Sequence, residues 1–249
     1  MATKMNMIHN MDCLEFMKQV PDNYFYLTVT SPPYDNLRAY KGYTFDWKMI
    51  VPELYRTTKE GGVVVWNVGD ETVDGSESLT SFRQALYFNE IGFNVHDTMI
   101  YEKNSSSFPA RADGNRYTQI FEYVFIFSKG KPKTSNLLID KKNKWAGHSS
   151  FDGKIQDVPE YSPRNNIWKY TTSLDDRTEH PAIMPIELAK DHIRTWSNAK
   201  DVVFDPFSGS GTTAKASIEL SRRYIGTEIS SEYVEIAKKR LEKVQGSLF

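Results

Sequence analysis

Four consecutive residues, Ser31-Pro32-Pro33-Tyr34, present a hydroxyl, a carbonyl with no competing N–H beside it and an aromatic face. That set suits a flat heterocycle bearing an exocyclic amino group. Two acceptors take the amino hydrogens while the ring stacks on the tyrosine. Neither proline has an N–H and each fixes φ, so the pair ends the apolar run over 24–29 in a stiff turn. The carboxyl end of a strand is where open α/β sheets hold their ligands.

A second constellation lies far along the chain. Asp205-Pro206-Phe207-Ser208-Gly209-Ser210-Gly211-Thr212 follows the apolar residues Val202-Val203-Phe204 and reads as a strand, a glycine turn and a helix start. It lacks the lysine of a Walker loop, and its spacing fails GxGxxG. Its bland reading is a tight strand-to-helix connection. Asp205 points instead to a cation or a polar amine at the strand end. The next strand ends at Glu228, where such a unit commonly holds ribose hydroxyls. A cationic amino-acid group and a ribose on one ligand describe S-adenosylmethionine.

The elements that position these residues alternate. Helices are expected over 13–19, 46–59 (closed by Gly61-Gly62), 79–90 (closed by Gly92), 185–196, 212–221 and 232–244. Strands are expected over 24–29, 63–68, 95–101, 121–127, 201–204 and 224–227, with a loop over 35–45. This alternation predicts an α/β fold with a mostly parallel sheet and helices on both faces. Residues 129–166 break the rhythm: they are polar and carry Lys129, Lys131, Lys133, Lys141, Lys142 and Lys144. They read as an insert between a first half, 1–128, and a second half, 167–249.

Order and spacing together resemble the permuted β class of amino-group DNA methyltransferases. There the (S/D/N)PP(Y/F/W) motif precedes the FxGxG cofactor motif. Thr30-Ser31-Pro32-Pro33-Tyr34 matches the first, and Phe207-Ser208-Gly209-Ser210-Gly211 the second at each fixed position. Asn10-Met11-Asp12-Cys13-Leu14-Glu15, Glu60-Gly61-Gly62-Val63-Val64-Val65, 122–129 and Glu179-His180-Pro181-Ala182-Ile183-Met184-Pro185 resemble intervening family segments, so the likeness covers nearly the whole chain. The resemblance implies a Rossmann-like class I methyltransferase core, circularly permuted, with a small target-recognition insert. It implies S-adenosylmethionine held by Asp12, Cys13, 205–212 and Glu228, with Ser31, Pro32, Pro33 and Tyr34 catalytic. The partner implied is double-stranded DNA, contacted by Lys131, Lys133, Lys141, Lys142, Lys144 and Arg164. A homodimer and a cognate restriction endonuclease are further partners the family allows.

The chemistry implied is base eversion, costing about a few kcal/mol. Stacking on Tyr34 is worth roughly 1–3 kcal/mol. Ser31 Oγ and the Pro32 carbonyl would favour a more tetrahedral amino nitrogen for in-line attack on the methyl group. Serine before Pro-Pro-Tyr tends to accompany cytosine N4 methylation in this family, and aspartate adenine N6. A serine hydroxyl can donate to cytosine N3, but adenine N1 is likewise an acceptor, so both targets stay open with cytosine favoured. Cys13 lacks the Pro-Cys context of carbon-5 methylation.

Plainer roles stand beside these. Asp12 equally suits a cap for the helix that follows, and the lysines a solvated face. Trp47 and Trp66 suit packing and His180 a structural role, whereas Trp145, with Arg164, suits a groove or stacking contact. Arg111 and Arg116 lie in a loop, 104–118, placed to close over a base or DNA. Net charge is −1, so no overall basic field recruits a polyanion and local charge must do so. The single cysteine excludes an internal disulfide and a Cys/His zinc cluster, and makes the cytoplasm the default. No metal site, signal peptide or membrane-length apolar run is read. Two rival classes remain: a methyltransferase acting on RNA or protein, disfavoured by the motif order, and an inactive DNA-binding module.

Overall fold

The computed structural model describes residues 4–33, 45–104, 114–151, 154–171 and 184–246. Tyr34, Arg111, His180 and the expected loop over 35–45, apart from Phe45, lie outside the described residues.

The first half begins with β1 (Met7–Asn10), α1 (Cys13–Met17), β2 (Phe25–Thr30), α2 (Trp47–Thr57) and β3 (Thr58–Val68). A two-residue ribbon, β4 (Thr72–Val73) and β5 (Ser76–Glu77), precedes α3 (Thr80–Ile91), β6 (Asn94–Lys103) and β7 (Phe121–Ser128). The insert folds as two small antiparallel ribbons. One pairs β8 (Ile139–Lys142) with β11 (Tyr161–Pro163), and the other pairs β9 (Gly147–Phe151) with β10 (Lys154–Val158). The chain continues through β12 (Ile167–Tyr170), α4 (Ile186–Trp196), β13 (Val202–Asp205), α5 (Thr212–Glu219), β14 (Arg223–Glu228) and α6 (Ser231–Gly246).

Eight strands form one sheet in the order β1-β14-β13-β2-β3-β7-β6-β12. Every pairing is parallel except those of β7, which runs antiparallel to both neighbours. The mostly parallel α/β fold expected from the sequence is present. β12 pairs with β6 rather than with β13 or β14, so it extends the edge of the first half. Val63–Val68 is buried at every position, as a strand covered on both faces must be.

One core wraps each face. Phe25, Val64, Trp66, Phe88, Phe127, Phe204 and Ile225 pack under α1, α2 and α3. Leu27, Val29, Val63, Val65, Val124, Leu188, Ile193 and Val203 pack under α4. Phe25 and Phe204, from opposite halves of the chain, stack at 4.3 Å and 4°. Thus the two halves share their cores.

One local feature departs from expectation. Gly61-Gly62 do not close α2. β3 starts at once after the helix, and Gly61 adopts a left-handed φ of +77° within it. A strap from the insert forces this: Gly61 N donates to the Lys129 carbonyl at 2.6 Å, and Lys133 N donates to the Gly61 carbonyl at 3.0 Å. A Cβ on Gly61 would meet the Lys133 side chain at 2.5 Å. Pro52 sits inside α2, where it removes one helical donor. Tyr87 compensates by donating its hydroxyl to the Lys48 carbonyl at 3.1 Å, four residues before the proline.

Phe204→Ala removes the ring that joins the halves and should cost about 3–5 kcal/mol. Urea unfolding followed by fluorescence checks this, with one transition shifted as a whole. A loss below about 1 kcal/mol, or two transitions, would contradict a shared core.

Candidate active site

β13 and β2 are neighbours at the centre of the sheet, and the chain leaves them in opposite directions, to β14 on one side and β3 on the other. That is the switch point where open α/β sheets form a crevice. Thr30 ends β2, and the half-buried Ser31 and buried Pro32 follow it at the carboxyl edge. Asp205 ends β13 at the same edge. Thr30 Oγ1 donates to Asp205 Oδ1 at 2.7 Å. The two motifs, remote in sequence, are therefore hydrogen-bonded neighbours.

Asp205 is buried, and burial pushes its carboxyl up to about 6. The Thr30 and Thr213 hydroxyls and the Phe207 N–H oppose that rise, and the Glu228 charge adds to it. A buried carboxylate is costly unless a cation meets it, so Asp205 suits a cationic ligand. Glu228, also raised by burial, accepts from Gly209 N at 2.9 Å and Ser230 N at 2.8 Å. Its two oxygens thereby tie the glycine turn to the end of β14, and each keeps a lone pair for a hydroxyl.

The turn itself needs its glycines. Gly209 and Gly211 have φ of +48° and +80°. Gly226 on β14 leaves room for Ser208, whose Oγ would lie 2.2 Å from an added Cβ. Ser208 N donates to the Thr227 carbonyl at 2.9 Å, which seats the turn on the strand. From α6, Arg240 Nη1 reaches Ser210 Oγ at 3.3 Å and Thr212 Oγ1 at 3.0 Å. Pro206, Phe207, Ser208, Gly209, Ser210, Gly211 and Thr212 thus form one wall beside Asp205.

Asp12 caps α1, accepting from Leu14 N at 2.9 Å and Glu15 N at 3.1 Å. The plain reading of Asp12 is present. Its segment nevertheless borders the site, since Met11 N donates to the Glu228 carbonyl at 3.1 Å. Cys13 is buried, and burial together with Asp12 pushes its thiol up to about 12, so it packs as a neutral group.

The residues expected at DNA divide. Lys141 and Lys142 on β8, and Lys144 after it, are exposed. Lys144 lies over the exposed Trp145 ring at 5.2 Å. Lys131 and Lys133 belong to the strap on Gly61, at the amino edge of β3, opposite Ser31 and Asp205. Lys129 is likewise committed, donating to the Tyr55 and Thr58 carbonyls at 2.9 and 3.1 Å.

Arg164 stands in a salt-bridged network. It pairs with Asp140 on β8 and, at 2.8 Å, with Asp191 on α4; it also donates to Tyr170 Oη at 2.9 Å and lies over Trp168 at 5.1 Å. Arg164 latches the β8–β11 ribbon to the core. Sequence reading gave Thr30 and Thr213 no role of their own within the motifs and missed Arg240 as a site residue. Thr30 was signalled by its place at the end of an apolar run, whereas Arg240 sits in a helix whose charges read as a solvated face. Among the described residues no cluster of His, Cys, Asp or Glu could hold a metal ion, and no helix is long and apolar enough to cross a membrane.

A profile of the DNA methylase family N6_N4_Mtase matches residues 25–239. The chain belongs to this family of amino-directed DNA methylases. It is 58% identical over 236 residues to the orphan methyltransferase M.BamHII of Bacillus amyloliquefaciens, covering 87% of this chain and 88% of that one. It is 28% identical over 248 residues to the DNA adenine methyltransferase YhdJ of Escherichia coli (strain K12), covering 93% and 81%. Among solved structures, the cytosine-N4-specific PvuII DNA methyltransferase shares the fold with a TM-score of 0.73 at 22% identity, covering 98% of this chain and 94% of that one. M1.HpyAVI, solved as a SAM complex, gives a TM-score of 0.64 at 26% identity, covering 94% and 98%. The fold is that of class I methyltransferases, and the enzyme is an S-adenosylmethionine-dependent DNA methyltransferase. The donor set fits its cofactor: a buried carboxylate for the cationic end and Glu228 one strand away for a ribose.

A cation held at Asp205 would need its carboxylate ionised. S-adenosylmethionine affinity is expected to be full well above pH 6 and to fall as pH drops through about 6, with Asp205→Asn weak and nearly flat across that range. The same raised value makes the charged form unfavourable in the empty fold, so Asp205→Asn should stabilise the ligand-free protein at pH 8. Calorimetry and thermal unfolding check both signs; an unchanged affinity profile in Asp205→Asn would contradict them. Arg164→Ala should raise amide exchange in β8 and β11 by at least about tenfold while leaving S-adenosylmethionine affinity unchanged. Unaltered exchange would deny the latch.

Proposed function

We propose that this enzyme methylates the N4 amino group of an everted cytosine in duplex DNA at a defined sequence. The observation that carries the reading is the Thr30–Asp205 hydrogen bond, which fixes the Ser31-Pro32 turn beside the cofactor wall. Asp205 would hold the cationic amino-acid end and Glu228 the ribose, with Asp12 and Cys13 bordering the adenine. When bound, S-adenosylmethionine supplies a methyl group on a sulfonium, ready for in-line transfer. Ser31 Oγ and the Pro32 carbonyl accept the two amino hydrogens of the target. This draws the nitrogen lone pair out of conjugation and aims it at the methyl group. Tyr34 stacks on the ring, and Pro33 keeps the turn stiff. Catalysis then rests on orientation and fixed dipoles, with no covalent link to the base.

The serine before Pro-Pro favours cytosine. The likeness to a cytosine-N4-specific enzyme supports the shared fold, while the adenine specificity in the name of YhdJ keeps adenine N6 as the second reading. On the same reading, residues 129–166 recognise the target, with Lys141, Lys142 and Lys144 meeting phosphates. The word orphan in the name of the 58% identical relative favours action without a cognate endonuclease. A homodimer is compatible with the fold, and a DNA substrate places the work in the cytoplasm.

Duplex DNA incubated with the enzyme and labelled S-adenosylmethionine, then digested to nucleosides for mass spectrometry, should yield N4-methylcytosine. N6-methyladenine would overturn the base assignment, and label in RNA or protein alone would overturn the substrate class. Ser31→Ala should lower kcat at least about tenfold with cofactor affinity unchanged.

A further inference from the structure

Everting a base leaves a hole in the duplex. The base pairs on either side lose a stacking partner, and the opposite strand keeps a base with nothing to pair with. Under the reading above Tyr34 stacks on the everted ring, so a second flat side chain would have to refill the stack.

Tyr117 is placed for this. β6 runs with β3, and β7 runs against both, so the connection from β6 to β7 crosses the carboxyl edge that carries Ser31 and Asp205. Lys103 N donates to the Ile120 carbonyl at 2.6 Å, which extends the ladder to that edge. Tyr117 lies three residues before Ile120, a chain reach of at most about 10 Å. The neighbouring Arg116 donates to the Gly75 carbonyl, in the turn between β4 and β5, and so ties the connection to the segment that leaves β3. β3 is the partner of β2, whose end carries the Ser31-Pro32 turn, and β7 stands two strands, about 10 Å, from β2.

The ring of Tyr117 stands clear of the fold. It is 101% exposed, whereas Ile120 on the same connection is 41% exposed. A lone exposed apolar group is ordinary on a surface. An aromatic ring held out on the catalytic edge, next to an anchored residue, meets whatever lies across that edge, and the substrate there is a duplex.

We infer that Tyr117 enters the duplex and stacks between the base pairs that flank the everted nucleotide. The inference rests on eversion of the target into the Ser31-Pro32 turn. Stacking needs only a π-face, so Tyr117 tolerates any flanking sequence and leaves specificity to other groups. Its hydroxyl lets the ring stand in water before DNA arrives. Tyr117 is a positioning residue: it holds the nucleotide out and touches neither the methyl donor nor the amino nitrogen.

Full exposure makes the test clean, since Tyr117→Ala removes no packing from the fold. Tyr117→Ala should lose at least about fivefold in kcat on a duplex with a paired target, and less than about twofold where the target faces an abasic site, because eversion there breaks no pair. Tyr117→Phe should keep the wild-type kcat on both, and S-adenosylmethionine affinity should stay unchanged in both variants. 2-Aminopurine placed beside the target reads the gap directly, since it brightens when unstacked. It should stay dim with wild type and Tyr117→Phe, and brighten with Tyr117→Ala. Full kcat of Tyr117→Ala on the paired duplex, an equal loss on both duplexes, or a bright probe with wild type would overturn the inference. Ser31→Ala separates this outcome from failure of the base-binding reading: full activity in Ser31→Ala sinks that reading, whereas a crippled Ser31→Ala beside an indifferent Tyr117→Ala sinks the Tyr117 stack alone.

Discussion

One hydrogen bond sets the geometry on which the rest depends. Thr30 Oγ1 and Asp205 Oδ1 meet at 2.7 Å across the central strand pair, at the point where the chain turns outward in both directions. The bond is buried, so it cannot be exchanged for water without cost. It binds the end of β2 to the end of β13 and leaves Ser31-Pro32 on one side and the glycine turn on the other. Asp205 is doubly constrained. Its burial makes charge expensive, and its hydroxyl and N–H partners keep that charge attainable near neutral pH. A carboxylate poised in this way fits a cationic ligand better than it fits an empty core.

The shared cores explain why the motif order along the chain matters little. Phe25 and Phe204 stack although almost the whole catalytic half and the insert lie between them in sequence. Parallel neighbours need only the right register, and the sheet supplies it through Leu27↔Val203 and Thr28↔Phe204. Permuting which strand comes first changes the connections but not this contact. The insert is attached at two places: the strap on Gly61 at the amino edge, and the Arg164 latch on α4. Both use groups that composition alone reads as solvent-facing cations.

The main strands and helices were legible because their periods were clean. Val63–Val68 could only be a strand buried on both faces, and the glycines of 205–212 could only be a turn. The motif residues were legible because Pro-Pro and Gly-Ser-Gly constrain the backbone whatever surrounds them. What escaped were tertiary facts. Gly61 looks like a helix stop, and only the crossing strap shows that its left-handed φ serves β3. Lys131, Lys133 and Arg164 look like phosphate contacts, and only their register and partners show the first two in a strap at the amino edge and the third in a salt-bridged latch. Asn67, a polar residue in the buried run of β3, meets its acceptor only in the fold, where its Nδ2 donates to Glu122, more than fifty residues away in sequence.

The central claim is that the Ser31-Pro32 turn and the Asp205 turn form one site for one transfer. A crystal structure of the enzyme with S-adenosylhomocysteine and a duplex containing its target tests it most directly. The account predicts the cofactor sulfur facing the amino nitrogen of an everted base, with room between them for a single methyl group. The base should be hydrogen-bonded to Ser31 and Pro32, and the amino-acid end of the cofactor should lie against Asp205. A base still stacked in the duplex, or a cofactor bound away from Asp205, would contradict it.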